Sequence, residues 1–454
     1  MRTFFLALCI YLILVFCFAK GNPTSRRYQD GVIIDNKLYV FAGRQTSNPL
    51  ILNQTADMNE LWILNLNQSF DVSSPPWLRG PSTNAPRVAY HTVNVGGAEN
   101  ELLVIYGGET LDSMETSYAV FDTKSQNWST PLFNTSQINR RQKHTGVTNF
   151  NDSTIIFYGG ASFSNPPVGN NLFVVNTSSN PWSIYNLPAG PESRAFHTST
   201  LLSDGKMYVI GGVTDLANNK LATLDLILVF DLRTSQWSQA PVNGTVVPPG
   251  RFLHKAVGTG DDKIIIYGGT TDFDYFTGTF NDLYVLDTTT NPYTWTNITT
   301  KGIIPIARSC HTMVMAGTNL IITFGRHADE LKDGFPNNTL VLDTTTYTWQ
   351  TTYTPNKLEL TTPPKPNISN KTNTSTTTPL PTLAPSSEQN GVGVDSGNEN
   401  GNTKIIIGVV ISISSVILIG VGLFFFKRRR QDKNNETNNE LDHVLTIEET
   451  TVGR

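Results

Sequence analysis

Between Arg27 and Tyr353 the chain alternates short apolar runs with Gly, Asp, Asn and Thr turns, a pattern that predicts brief β-strands. One stretch shows the unit in full. His254 to Val257, Lys263 to Tyr267, Leu283 to Asp287 and Trp295 to Ile298 predict four strands of a single sheet. The runs IIIYGG and LYVLD are apolar at successive positions, so both faces of that sheet need cover. A lone unit would expose what a neighbouring unit hides.

The unit recurs six times. Each copy reads Arg, then His, an apolar strand ending in Gly-Gly, a second apolar run ending in Asp or Asn, and Trp. The glycine pairs are Gly107-Gly108, Gly159-Gly160, Gly211-Gly212 and Gly268-Gly269, with diverged versions at Phe41-Ala42-Gly43 and Phe324-Gly325-Arg326; the steps are 65, 52, 52, 57 and 57 residues. His91, His144, His197, His254 and His311 share the period, as do Trp77, Trp128, Trp182, Trp237, Trp295 and Trp349. Three residue types on one period define a repeat architecture.

These motifs resemble the kelch family over residues 27 to 354. The resemblance implies an all-β fold, a six-bladed kelch-type β-propeller with one four-stranded sheet per blade. Glycine permits positive φ and close backbone approach, and tryptophan offers the largest interblade packing area. With no spare N-terminal strand to complete the last blade, side-chain packing is expected to close the ring. Blade one is the most degenerate, with Gly31 in the histidine slot, and is expected to be loose.

The ends of the chain point to a membrane. Residues 1–19 read as a signal peptide: Arg2, an apolar run from Phe4 to Phe18, then small Ala19. Ile405 to Phe426 is a run of 22 uncharged residues, long enough for a transmembrane helix through the lipid bilayer, and Lys427, Arg428, Arg429 and Arg430 behind it place the C-terminus in the cytoplasm. The expected organisation is a propeller ectodomain over 20–354, a disordered Thr/Pro/Asn-rich stalk over 355–404, the helix over 405–426 and a cytoplasmic tail over 427–454. This is a single-pass type I protein of the plasma membrane. Sequons at Asn53, Asn67, Asn127, Asn134, Asn151, Asn176, Asn243, Asn297, Asn337, Asn367, Asn370 and Asn373 suit a glycoprotein.

Charge excludes a polyanion partner. The balance of 33 cations against 37 anions leaves -4, with no basic block beyond the cluster behind the helix, so no nucleic-acid binding is expected. Histidine and arginine repeated once per blade, including Arg87, Arg194, Arg251 and Arg308, read as structural hydrogen-bond elements. Function belongs where blades differ. The loops between the second and third strands vary most, and strand alternation puts them on the face of the interblade connections.

Two of these loops stand out as neighbours. The fifth holds Asp272, Phe273, Tyr275 and Phe276, and the sixth holds Arg326, His327 and Asp329. Aromatic rings beside carboxylates and Arg suit an extracellular protein or glycan ligand. No cofactor and no catalytic residue are expected. Galactose-oxidase-like relatives join a Cys to a ligand Tyr, whereas Cys310, alone in the mature chain, fills a variable repeat slot in RSCHT. The alternatives to a binding module are a carbohydrate-active enzyme, galactose-oxidase-like or sugar-mutarotase-like, and a structural surface linker.

Overall fold

The computed structural model describes residues 19–46, 55–109, 118–134, 141–162, 168–243, 246–273, 278–327 and 337–356. All lie in the first of two compact units, residues 1–369. Among them every regular element is a strand. The expected stalk beyond Asn356, the membrane helix, the tail and all but the last residue of the leader fall outside the described residues.

Six antiparallel blades are arranged around an axis. Their inner strands are Asp30–Ile34, Thr92–Gly96, Thr145–Asn149, Thr198–Leu201, Lys255–Gly258 and Thr312–Ala316. Each packs beside the next, and the last beside the first, which closes the circle. Within a blade the strands follow in sequence from the axis outward, as in Lys255–Gly258, Lys263–Tyr267, Leu283–Asp287 and Tyr293–Ile298. Ala19–Lys20 adds a fifth strand to blade one by pairing with Leu78–Arg79. The outer strands of blades four and five pair in parallel through Val242 and Tyr293, fusing the two sheets at their edge.

Double-sided burial follows from strand alternation. Ile264 and Ile266 pack towards blade four, while Ile265 and Tyr267 pack towards blade six. Six such interblade cores alternate with six sheets. Tryptophan indoles tie the outer strands to neighbouring loops: Trp128 donates to Pro81 O at 2.8 Å and Trp237 to Pro188 O at 2.9 Å, both in the preceding connection, and Trp295 to Leu224 O at 2.9 Å in the loop between the second and third strands of blade four. The Asp or Asn ending each third strand accepts from the amide two residues on, as in Asn65 with Asn67, Asp122 with Lys124 and Asp343 with Thr345.

Backbone bonds, rather than side-chain packing alone, close the ring. The second glycine of each pair donates its N–H to the next blade: Gly43 to Val88 O, Gly108 to Arg141 O, Gly160 to Arg194 O, Gly212 to Arg251 O, Gly269 to Arg308 O, and Gly325 across the seam to Arg26 O at 2.9 Å. Thr352–Tyr353 also pairs with Phe70–Asp71, and the Tyr353 hydroxyl donates to Leu66 O at 3.0 Å. Blade one is therefore well held. Its five-stranded sheet packs a core on either side, contrary to the expectation of a loose blade.

The same bonds correct the repeat register. Phe324-Gly325 occupies the paired-glycine site, so the last step is one residue shorter than the sequence pattern suggests. The histidine slot of blade one holds Gln29, which follows the positive-φ residue Tyr28 as every histidine follows its own. Gly31 lies two residues further along the strand. The arginine slot of blade one holds Arg26, and that of blade two holds Val88. Arg87, displaced by one position, is exposed.

Candidate functional site

Three concentric patterns of hydrogen bonds build the axis. The residue before each histidine slot has positive φ: Tyr28, Tyr90, Lys143, Phe196, Leu253 and Cys310. Their amides donate around a closed collar, Tyr90 to Tyr28 O, Lys143 to Tyr90 O, Phe196 to Lys143 O, Leu253 to Phe196 O, Cys310 to Leu253 O and Tyr28 to Cys310 O. Outside the collar, Arg141, Arg194, Arg251 and Arg308 each donate from Nη1 to the carbonyl of the residue in the first paired-glycine position of their own blade, and Arg26 does the same to Ala42. Inside it, the histidines join neighbouring inner strands. Thr92 contacts His144 at 3.3 Å, Thr145 contacts His197 at 2.8 Å and Thr198 contacts His254 at 3.2 Å, while Gln29 donates to Thr312 at 3.3 Å.

The histidines are therefore scaffold. Burial drives their pKa down, to about 4 for His91 and about 3 for His254, and keeps the imidazoles neutral. Among the described residues no three His, Cys, Asp or Glu side chains are grouped to hold a metal ion. Cys310 is buried in the collar, and burial pushes its thiol up to about 11. An un-ionised buried thiol is a poor nucleophile.

The collar marks one end of a channel of about 1730 Å³ lined by the six inner strands. At this end sit the interblade connections and the loops between second and third strands. Its two halves differ in chemistry. Blade six brings Arg326, blade one Arg27 and Arg44, and blade three Lys143; among the described residues Glu109 of blade two accepts from Arg44 at 3.4 Å. Lys143 lies between the rings of Tyr90 and Phe196, 5.4 and 5.1 Å from their centroids, and burial lowers its pKa. Val213, Leu216, Leu221, Phe252, Leu253 and Phe273 of blades four and five join one apolar cluster with Tyr28, Ala89, Tyr90, Phe196 and Cys310, in which Val213 and Phe252 are fully buried while Leu216, Leu221 and Phe273 stay partly exposed. A half-cationic, half-aromatic mouth can take a ligand carrying carboxylates next to large apolar groups.

Of the residues singled out in the sequence, Phe273 stacks on Phe252 at 4.6 Å and 24° and belongs to this cluster. Asp272 donates its amide to Thr270 Oγ1 at 3.0 Å in the turn leading there. Arg326 and His327 are buried, paired with Ser309 and Arg308 in a short ladder beside the collar. Tyr275, Phe276 and Asp329 lie outside the described residues. Sequence reading missed Arg27, Arg44, Lys143, Phe196 and Phe252. Their signal was available, since each occupies a repeat slot that changes type from blade to blade.

The opposite end of the channel is acidic. Asp35, Glu99, Asp152 and Asp204, in turns after the inner strands, line it together with Arg233, and Lys124 and Lys206 pair with Glu99 and Asp204. Thr354 and Asn356 also lie there, the former accepting from Asn319 and the latter donating to Thr318. The last described residues therefore lie on the face away from the mouth.

Together the glycine ring, the histidine junctions and the six radial sheets define a kelch-type β-propeller. The chain belongs to the KLHDC2/KLHL20/DRC7 Kelch-repeats domain family, whose model matches residues 90–246 and 204–369. It is 25% identical over 334 residues to Kelch domain-containing protein 3 of Bos taurus, covering 71% of this chain and 83% of that protein. It is also 29% identical over 242 residues to Putative protein tag-53 of Caenorhabditis elegans, covering 49% of this chain and 17% of that protein. With Host cell factor of Drosophila melanogaster it shares 24% identity over 295 residues, 58% of this chain and 18% of that protein.

Proposed function

We propose that this kelch protein is a non-enzymatic recognition module that captures a protein partner at the collar mouth. The observation that carries the reading is the split of that mouth into a cationic side around Arg44 and Lys143 and an apolar side around the partly exposed Leu216, Leu221 and Phe273. A segment with an acidic residue beside a large apolar one matches it. Affinity in such a mouth concentrates in a few aromatic and cationic anchors.

The membrane reading belongs to the same proposal. A leader over 1–19, a stalk over 355–404 and a spanning helix over 405–426 would present the propeller at the cell surface as a type I glycoprotein. Consistent with this, sequon asparagines Asn67, Asn127, Asn134, Asn151, Asn243, Asn297 and Asn337 are exposed. Glycosidase treatment should shift the mass of the cellular protein, and protease added to intact cells should remove the propeller; resistance to both would refute the surface placement.

Binding is tested by selecting from a displayed random-peptide library with the purified full-length chain. Enriched peptides should combine Asp or Glu with an aromatic or aliphatic residue. Lys143→Glu with Arg44→Glu should weaken them by about tenfold or more, and Asp152→Ala on the far face should not. Selected peptides indifferent to the Lys143 and Arg44 changes would overturn the assignment of the mouth.

A further inference from the structure

The histidine junctions fail at two places. Between blades one and two, Asp30 stands where threonine meets the next histidine, and between blades five and six Lys255 stands there. His91 and His311, which face these substitutes, are buried without the hydrogen bond that His144, His197 and His254 make. The two substitutes find each other instead. Lys255 Nζ lies 2.7 Å from Asp30 Oδ1, reaching past blade six inside the channel. Asp30 Oδ2 also accepts the Val93 amide at 3.1 Å, so one carboxylate joins the inner strands of blades one, two and five.

We infer that Asp30 and Lys255 form an internal clasp that positions the collar mouth at its seam. Three observations converge on this. Asp30 is two residues from Tyr28, and Lys255 is two residues from Leu253, so the bridge ties together the collar residues flanking Cys310. Of the two collar bonds it spans, Cys310 N–H to Leu253 O is 3.0 Å, and Tyr28 N–H to Cys310 O, at 3.4 Å, is the longest of the six. The seam is also where the first and last blades meet, which a continuous chain does not cross. In a confined channel an ion pair attracts more strongly than on an open surface, and its two charges are only partly exposed. The role as a positioning pair rests on the mouth being the recognition site, because the clasp fixes the distance between Tyr28, whose ring lies under Arg27, and Leu253, two collar residues of the cluster that underlies the mouth.

Amide hydrogen exchange of the purified full-length chain tests this without any ligand, so its outcome is separate from that of the peptide selection. Lys255→Met and Asp30→Asn should each raise exchange at the Tyr28 and Cys310 amides by about tenfold, with Lys143 and Phe196 across the collar unchanged. Lys255→Arg, which keeps the cation, should leave all four amides at native rates. Equal acceleration around the whole collar, or none at the seam, would overturn the clasp. Lys255→Thr covers the case in which the other variants fail to fold, because it offers His311 the hydroxyl used at the intact junctions. Fast seam exchange in that stable variant supports the clasp; native rates there refute it.

Discussion

Glycine holds the second position of the paired motif in all six blades, whereas the first position also accepts Ala42 and Phe324. The reason is geometric. At Gly160 φ is +93°, and a Cβ would lie 2.6 Å from His144 Cβ and 2.8 Å from Gln142 O, inside the neighbouring backbone. Gly160→Ala should therefore lower unfolding free energy by about 2 kcal/mol or more, measured by urea denaturation. Gly260→Ala, where a Cβ meets nothing within 4 Å, should change it by less than about 0.5 kcal/mol. Equal, small effects at the two positions would show that the approach of Gly160 to the start of its own inner strand is looser than described. The pairs Gly107-Gly108 and Gly159-Gly160 were visible in the sequence, but what each member meets was not: a Cβ at Gly159 would lie 2.4 Å from Arg194 O of the next blade while one at Gly160 meets its own blade, and the repeat period alone does not distinguish two adjacent glycines.

Inner strands are joined by neutral histidines, and that choice makes the ring sensitive to acid. In the unfolded chain a histidine takes up a proton near pH 6.5, whereas burial prevents this in the fold until about pH 4 for His91 and about pH 3 for His254. A base whose pKa is lowered by folding contributes stability that is complete above the unfolded value and declines as pH falls towards the folded one. The urea midpoint should accordingly drop between about pH 7.5 and about pH 5. His144→Gln, which copies the native Gln29 junction, should reduce that drop. A midpoint flat across this interval would contradict neutral burial. The sequence displayed these histidines as a ladder and supported a structural role for them. It concealed the Gln29, Asp30 and Lys255 variants, because a glutamine, an acid or a base in a single repeat resembles ordinary divergence until the ring places residues 225 positions apart in contact.

At the scale of the molecule, propeller geometry collects one residue per blade at each level of the axis, so a slot that varies along the sequence becomes a surface with sides. That step separated the legible from the illegible here. Blade number, strand order and interblade burial followed from apolar runs and periodicity. The mouth did not, since the Arg27 and Arg44 bridge of blade one, Lys143 of blade three and Phe252 of blade five are brought to one end of the axis only on closure. Phe273 could be found because its loop was locally unusual. The resulting molecule is polar along its axis, with cations and aromatics at the mouth and Asp35, Glu99, Asp152 and Asp204 at the other end. Acidic partners should be steered to the mouth, and salt should slow their association.

The most direct test is hydrogen-exchange footprinting of the full-length chain with and without a peptide from the selection. Protection should fall on segments around Tyr28, Arg44, Tyr90, Lys143, Phe196 and Phe252, leaving the turns around Asp35, Glu99, Asp152 and Asp204 unchanged. Protection confined to those turns, with the collar segments unaffected, would contradict the account.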